Sequence, residues 1–532
     1  MAALVLSAAA FGFLAAGAAA DRAAATIASW QLFPALDRAI LTMVAGTGAA
    51  GLIAFTLILL ATALCGRWYC AFLCPLGILQ DLASLVRGKR RKYRKPVPFL
   101  RALSLAAAAA LAVSGATGLA AWLDPWSIFS RFMAYDLQSL ARLARGQDLL
   151  GFQGSLPIAI ASGAVVVAML AASAASGRWF CGTLCPVGTA LGALASVAPI
   201  GMRIDPGSCV SCGACASACR ASCIDAKAKR VDPSRCVNCL ACLGSCPTGA
   251  LRYGARRGFG KQAKEAKAPT GYSTALLQEV CAGPAMDMDR ARFLRLAGSG
   301  AATIAMFLVL PGKAFASGSK SGTAPGAGPS IGPAPPVLPP GARSADSLLK
   351  SCVACGLCVS RCPSRVLQPA LGQLGLRGLM MPLLDHSISY CQFDCTVCMD
   401  VCPSAALERL GREGKHLAKI GDASLERARC VVFTNGTKCG ACAEHCPTGA
   451  VRMVAGETGL PEPVFTSSIC IGCGACHHAC PVRPERAISV SGLAVQSVAD
   501  KPSEGLFDAP GSSSGSGTPV SGDGGGAEAF PF

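Results

Sequence analysis

Apolar residues are gathered into long runs over the first 316 residues and scattered into short ones thereafter. Residues 2–20, about 44–65, about 102–123 and about 155–176 are nearly unbroken Ala, Leu, Val, Ile and Phe, each close to the roughly 20 residues a helix needs to cross a bilayer. They predict four membrane-spanning helices. Residues 296–312 (LAGSGAATIAMFLVLPG) form a fifth, shorter run that reads as a signal-anchor-like span or an export signal, with Ala314-Phe315-Ala316 in the place of a cleavage site. Ala18-Ala19-Ala20 could end a cleaved signal in the same way, and by either reading residue 21 emerges outside.

The polar stretches between the runs set the orientation. Segment 21–43 carries Arg22 and Arg38, and segment 124–154 carries Arg131, Arg142 and Arg145; segment 66–101 holds Arg67, Arg87, Lys89, Arg90, Arg91, Lys92, Arg94, Lys95 and Arg101. Basic loops stay in the cytoplasm, so segment 66–101 and the basic stretch 203–290 are expected there. Arg290-Ala291-Arg292-Phe293-Leu294-Arg295 precedes the fifth run, which then delivers everything after it to the opposite face. Beyond residue 345, short apolar segments such as 448–454 and 487–490 each follow a Cys-Pro and suit the closing strand of a small α+β unit.

Composition supports a membrane reading. Hydrophobic residues make up 52% and charged residues only 15% of the 532, with mean hydropathy +0.47, too apolar for an ordinary soluble enzyme. The net charge of +18 divides unevenly: residues 1–316 hold 31 Lys and Arg against 13 Asp and Glu, and residues 317–532 hold 17 of each. The excess lies among the apolar runs, where topology accounts for it, and no nucleic-acid partner is expected.

Cysteine changes the picture most. Of 31 cysteines, 24 fall into six groups of four: Cys209/212/215/219, Cys236/239/242/246, Cys352/355/358/362, Cys391/395/398/402, Cys430/439/442/446 and Cys470/473/476/480. The regular ones follow C-x2-C-x2-C-x3-C, the bacterial ferredoxin run, whose first three cysteines hold one cluster and whose fourth ligates its neighbour. Such a framework differs from the disulfides of a small secreted domain. Soft thiolates suit either iron–sulfur clusters or zinc, and the shared x3-C ending of all six groups favours six 4Fe-4S clusters, with these 24 cysteines as iron ligands. Cross-ligation predicts one cluster on Cys209, Cys212, Cys215 and Cys246 and another on Cys236, Cys239, Cys242 and Cys219, although Arg220 stands where the first run lacks its proline. In the C-terminal set the outer two groups are regular and the inner two are stretched at the first gap, which suggests nested pairing, first with fourth and second with third. Cys223 reads as a buried bystander.

Other chemistry is sparser. Cys473-x2-Cys476-His477 also matches a haem-attachment signature, but haem leaves Cys470 and Cys480-Pro481 unexplained. None of the five histidines precedes His386, so no haem is expected in the apolar domain. Cys70-x3-Cys74-Pro75 and Cys181-x3-Cys185-Pro186 put four thiols after the second and fourth runs, where they could meet as an additional metal centre or as redox thiols, or simply pack. Trp122-Leu-Asp124-Pro125-Trp126-Ser-Ile-Phe-Ser-Arg131 reads either as an interfacial aromatic belt or as a quinol pocket in which Asp124 accepts protons beside Arg131.

These residues resemble a known pair. Residues 1–256, with WYCAFLCPLG, WLDPWSIFSR, WFCGTLCPVG and two cluster runs, are similar to the NapH-type membrane quinol dehydrogenase component of periplasmic nitrate reduction. Residues 290–490, with RARFLR, an apolar signal and four cluster runs, are similar to the NapG-type periplasmic ferredoxin subunit. The methylamine-utilisation ferredoxin pair resembles both. The resemblance implies a natural fusion in the bacterial inner membrane that oxidises quinol from the quinone pool and passes electrons to a periplasmic reductase or cytochrome. A redox maturation or regulatory factor servicing a metalloenzyme is the alternative.

The expected fold class is thus a membrane α-helical protein of four spans plus a fifth signal-anchor-like span, carrying two α+β bacterial ferredoxin-like modules. Its parts are a membrane domain at 1–200, lipid-embedded, a cytoplasmic two-cluster ferredoxin at 201–256, and a basic linker at 257–295. The fifth span at 296–316 and a Gly/Pro/Ser-rich tether at 317–345 lead to a periplasmic four-cluster ferredoxin at 346–495 and a disordered tail at 496–532.

Overall fold

A computed structural model describes residues 18–45, 50–85, 93–144, 156–255, 335–456 and 459–501. Its N-terminal part is a helical bundle built on an internal repeat. Helices Ala50–Cys65 and Leu156–Ser176 each lead through a tight turn at Gly66 or Gly177, both at φ near +70 to +80°, into Gly-Arg-Trp and then a short helix, Tyr69–Phe72 or Trp179–Thr183. A further helix begins on each motif's proline, Pro75–Leu85 and Pro186–Ser196. Proline suits a first helical position because its missing N–H would have no partner there and its φ is already set. Arg67 matches Arg178, Cys70 matches Cys181, Cys74 matches Cys185 and Gly77 matches Gly188 at one constant spacing.

The expected four-plus-one span architecture is not what this chain forms. Among the described residues one helix, Pro157–Ser176, is long and apolar enough to cross a membrane. The run at 102–123 is broken: helix Pro98–Val113 stops, Gly115 turns the chain at φ +71°, and the short helix Thr117–Ala120 follows. Thr117, Gly118 and Ala120 are buried, with Gly118 lying against the carbonyls of Arg377 and Leu379. In the run at 44–65 the described helix, Ala50–Cys65, has 16 residues. Helix Ala18–Ser29 opens at the end of the first run, and its Asp21 pairs with Arg361 at 3.0 Å. Most of residues 2–20 and all of 296–312 lie outside the described residues, as do the 257–295 linker, most of the tether and most of the tail. An apolar stripe fits a protein neighbour as well as a lipid one, and here Ile58, Ala108 and Val166 meet protein while Leu57, Leu60, Leu103 and Val167 stay exposed. The helix after Cys74, Pro75–Leu85, is buried at Leu76, Gln80, Asp81 and Ser84.

Two modules flank the bundle. In the first, Ile200–Ile204 pairs antiparallel with Leu251–Ala255, closing a unit around Met202, Cys215, Cys219, Cys223, Ile224, Cys242 and Leu251. The C-terminal module holds three antiparallel pairs: Leu367–Pro369 with Pro382–Leu384, Ala418–Leu425 with Ile488–Val498, and Val451–Ala455 with Pro461–Phe465. Two-stranded ribbons are marginal alone, so these strands depend on the cysteine loops packed against them. The modules meet opposite ends of helix Leu156–Ser176. Near its start Ser162 donates to Asp136 at 2.7 Å, beside the Phe132–Leu137 segment that receives the C-terminal module; just past its end the Arg178 N–H donates to the Arg220 carbonyl of the first module at 2.9 Å. From Ser162 to Ser176 the helix rises about 21 Å.

Candidate metal centres

The fold gathers the 24 cysteines into six sets. Cys209, Cys212, Cys215 and Cys246 line one cavity of about 330 Å³, and Cys219, Cys236, Cys239 and Cys242 line another of about 330 Å³. In the C-terminal module Cys362 joins Cys391, Cys395 and Cys398 around about 320 Å³, while Cys480 joins Cys430, Cys439 and Cys442 around about 350 Å³. Cys402 sits with Cys352, Cys355 and Cys358, and Cys446 with Cys470, Cys473 and Cys476, close enough for their charges to act on one another. The exchange is therefore sequential, first group with second and third with fourth, and not nested. Stretching the first gap, as in Cys391–Cys395 and Cys430–Cys439, changes a loop without changing its partner.

The loop backbone explains the repeated spacing. In all four regular runs the residues on either side of the second cysteine are left-handed: Ser211 and Gly213, Asn238 and Leu240, Ala354 and Gly356, Gly472 and Gly474. This conformation is unfavourable for residues with a Cβ, and its recurrence at Leu240 and Ala354 marks a loop shaped around something. Among the described residues no three Cys, His, Asp or Glu side chains converge at the spacing of a single ion. Four soft thiols gathered around one hollow in loops of the ferredoxin spacing fit a 4Fe-4S cluster better than zinc. His477, the residue of the haem-like signature, is engaged by the carbonyl of Ile488 at 2.6 Å.

The Trp122–Arg131 stretch meets the Cys352–Cys358 loop directly. Asp124 caps helix Pro125–Arg131, accepting from the Ser127 N–H at 2.8 Å and the Ser127 hydroxyl at 2.7 Å. The single Ser127 hydroxyl proton is shared between Asp124 and the Val353 carbonyl, which lies 3.0 Å from Oγ; Ser130 Oγ donates to the Cys355 carbonyl at 2.9 Å and Arg131 Nε to that of Ala354 at 2.9 Å. Thr117 Oγ1 reaches the carbonyls of Leu349 and Cys352 at 2.7 and 2.9 Å, and Arg38 reaches that of Cys402 at 3.3 Å. Burial pushes the Asp124 carboxyl up to about 6, against the hydrogen bonds from Ser127 and the charge of Arg131. Arg131, equally buried, is lowered to about 10. The two residues singled out in the sequence thus hold the loop, and Ser127 and Ser130, not singled out, hold it with them. Their i, i+3 spacing places both on one helix face, the signal that could have found them.

At the other end lie Cys70, Cys74, Cys181 and Cys185, all buried and close enough for their charges to bear on one another. The two repeats exchange arginines across this group. Arg67 donates to the Cys181 carbonyl at 3.1 Å, and Arg178 donates to the Cys70 carbonyl. A Cβ on Gly77 or Gly188 would strike those carbonyls and approach the same two guanidinium groups, which is why glycine stands in both copies. Asp81, also unforeseen, bonds Arg178 at 2.6 and 2.7 Å and Arg220 of the first module at 2.6 Å. Burial would raise its carboxyl, but the two arginines outweigh that and hold it below the usual range.

Residues 47–93 and 158–201, the two copies of the repeat, match one family described as a 4Fe-4S binding domain. Other families of that description match residues 229–252, 206–222 and 349–365, and a 4Fe-4S dicluster domain matches residues 435–483. The chain is 27% identical over 147 residues to the ferredoxin-type protein NapF of Escherichia coli K12, covering 27% of this chain and 80% of that protein. It is 31% identical over 166 residues to the ferredoxin-type protein NapG of the same strain, covering 30% and 71% respectively. To the methylamine utilization ferredoxin-type protein MauM of Methylorubrum extorquens it is 32% identical over 153 residues, covering 27% and 66%. No solved structure matches it. These likenesses support ferredoxin-type electron transfer and do not extend to a fusion with a NapH-type component. The chain belongs to the family of ferredoxin-type iron–sulfur electron-transfer proteins that includes NapG.

Proposed function

We propose that this protein oxidises a membrane quinol and conducts its electrons through six 4Fe-4S clusters to a periplasmic reductase or cytochrome. The carrying observation is the hydrogen-bonded contact of Ser127, Ser130 and Arg131 with the backbone of Val353, Cys355 and Ala354, which joins the bundle to a cysteine loop with no intervening solvent layer. From there the sets follow one another, since the Cys391 N–H donates to the Cys473 carbonyl at 2.9 Å. When bound, the clusters supply one-electron redox chemistry at separate stations. The chain's own residues hold those stations in order and keep water from them.

Quinol gives up two electrons and two protons as it becomes quinone. The electrons would leave singly for the clusters that the cysteine sets hold, one proton passing to Asp124, buried and raised toward neutrality, and the other to water. In this reading the candidate membrane helix Pro157–Ser176 separates a cytoplasmic first module from a periplasmic C-terminal module, a sense supported by the basic residues of 66–101. Asp124→Asn tests the proton role cleanly, because asparagine also caps helices. Expected is at least a tenfold slower bleaching of the cluster absorbance by a water-soluble quinol, with dithionite reduction unchanged. Wild-type quinol rates would remove Asp124 from the reaction.

A further inference from the structure

Lysine is almost never fully buried without a partner, yet Lys415 is only 2% exposed. It stands on the helix Gly411–Leu417, whose Arg412 and Glu413 face solvent. Its Nζ donates to the carbonyls of Gln392 at 3.3 Å and Phe393 at 3.4 Å, both in the loop between Cys391 and Cys395, and lies within hydrogen-bonding reach of the Cys391 thiol. The same charge acts on Cys395 and Cys398. Among the described residues it forms no ion pair with a carboxylate, because the two nearby acids are engaged elsewhere. Asp394 pairs with His416 at 2.8 Å, whose ring stacks on Phe393 at 4.0 Å, and Asp400, exposed, accepts from the Thr396 hydroxyl at 2.7 Å. The buried ammonium is left facing the thiols.

The other C-terminal sets have no such unbalanced cation. Arg131 and Arg38 bear on Cys355 and Cys402, but Asp37 bears on Cys352 and Asp124 on Arg131 in the opposite sense. Asp422 bears on Cys470 and has Lys419 at 3.5 Å. Arg483, exposed, and Arg486, half-buried, approach Cys480 from the surface, where water weakens their field.

We propose that Lys415 makes the Cys362/391/395/398 cluster the electron-holding station of the C-terminal module. Four thiolates leave a 4Fe-4S core with net negative charge, and each added electron deepens it. A buried cation beside the ligands therefore favours the reduced form and raises the potential. The station is central: its set exchanges Cys362 and Cys402 with the Cys352 set, and its Cys391 N–H donates to the Cys473 carbonyl at 2.9 Å. An electron arriving from the bundle side comes to rest there and moves on when an acceptor draws one from the far pair, with no bond made or broken.

The proposal shares the electron-transfer reading above but does not need quinol to be the donor. It is tested by mediated redox titration of the full-length chain, purified without oxygen and followed by EPR. Signals of the first module are identified by their loss in Cys215→Ser and Cys242→Ser. Of the four C-terminal clusters, the one whose signal Cys398→Ser removes should be reduced first, and earlier reduction of any other would overturn the proposal. Lys415→Gln keeps a donor for the two carbonyls and removes the charge. Its expected effect is at least about a tenfold fall in the reduced-to-oxidised ratio of this cluster at fixed potential, about 59 mV for one electron, with iron content unchanged. Lys415→Arg should stay near the wild-type potential, and Arg412→Gln, on the exposed side of the same helix, should move nothing. An unmoved potential in Lys415→Gln, loss of that cluster's iron, or a Lys415→Arg shift equal to that of Lys415→Gln would each reduce Lys415 to a support for the loop. Because mediators set the potential throughout, a failure of quinol to reduce the protein would sink the quinol reading alone.

Discussion

At the end of the bundle that meets the first module, a buried ionic hub on Asp81 stands among hydrogen bonds to backbone carbonyls, such as those of Arg67 and Arg101 to Ser234; at the end that meets the C-terminal module, several small donors share the joint. Asp81 bonds Arg178 from the bundle and Arg220 from the module, with Arg178 only 1% exposed. Opposite, Ser127, Ser130, Thr117 and Arg131 each hold a separate backbone carbonyl of the 349–355 stretch. The first joint adds to its hydrogen bonds one buried ionic hub, which is strong only while complete. The second spreads it over contacts of ordinary size, any one of which can be lost.

The largest effect should come from breaking the hub. Asp81→Asn strands two arginines, and removing one partner of a buried pair costs about 3–5 kcal/mol; denaturant unfolding of the purified chain should lose that much, with the first module becoming sensitive to protease. Next is Gly356→Ala at the opposite joint. Gly356 is left-handed at φ +75°, and an added Cβ would lie 2.8 Å from the Tyr135 hydroxyl, so roughly 1–3 kcal/mol of strain is expected, read as release of the C-terminal module in limited proteolysis. Tyr135→Ala should recover part of it. Ser130→Ala, which frees only the Cys355 carbonyl, should cost about 1 kcal/mol with both modules still docked. If Asp81→Asn proved no worse than Ser130→Ala, the contrast between hub and distributed joint would be gone.

The cysteine spacing carried the positions of the metal-binding loops and the exchange within the first module, because a fourth cysteine that must reach a neighbour has only one neighbour there. In the C-terminal module four groups offered several partners. The symmetry of regular and stretched gaps pointed to nesting, whereas chain proximity decides the pairing: Cys362 and Cys402 lie just beyond loops that already face each other. The apolar runs misled for a different reason. Composition records that Leu103 or Ala120 prefers to leave water, not whether a lipid chain or another helix will cover it, and Gly115 breaks a run that its neighbours would have continued. In the Trp122–Arg131 stretch an acid, a base and aromatic rings describe a quinol pocket and a capped docking helix equally well. The docking contacts depend on where the Cys352–Cys358 carbonyls lie, and no local pattern encodes that.

The reciprocal reach of Arg67 to Cys181 and Arg178 to Cys70 bears on ancestry. Each repeat supplies the donor that its sister's carbonyl needs, so neither is complete by itself. A polypeptide containing a single copy could satisfy the same contacts only by meeting its twin, as a symmetric pair of identical subunits. Within one chain the two copies need not be identical, and one carries an aspartate at position 81 where the other carries a glycine at 192.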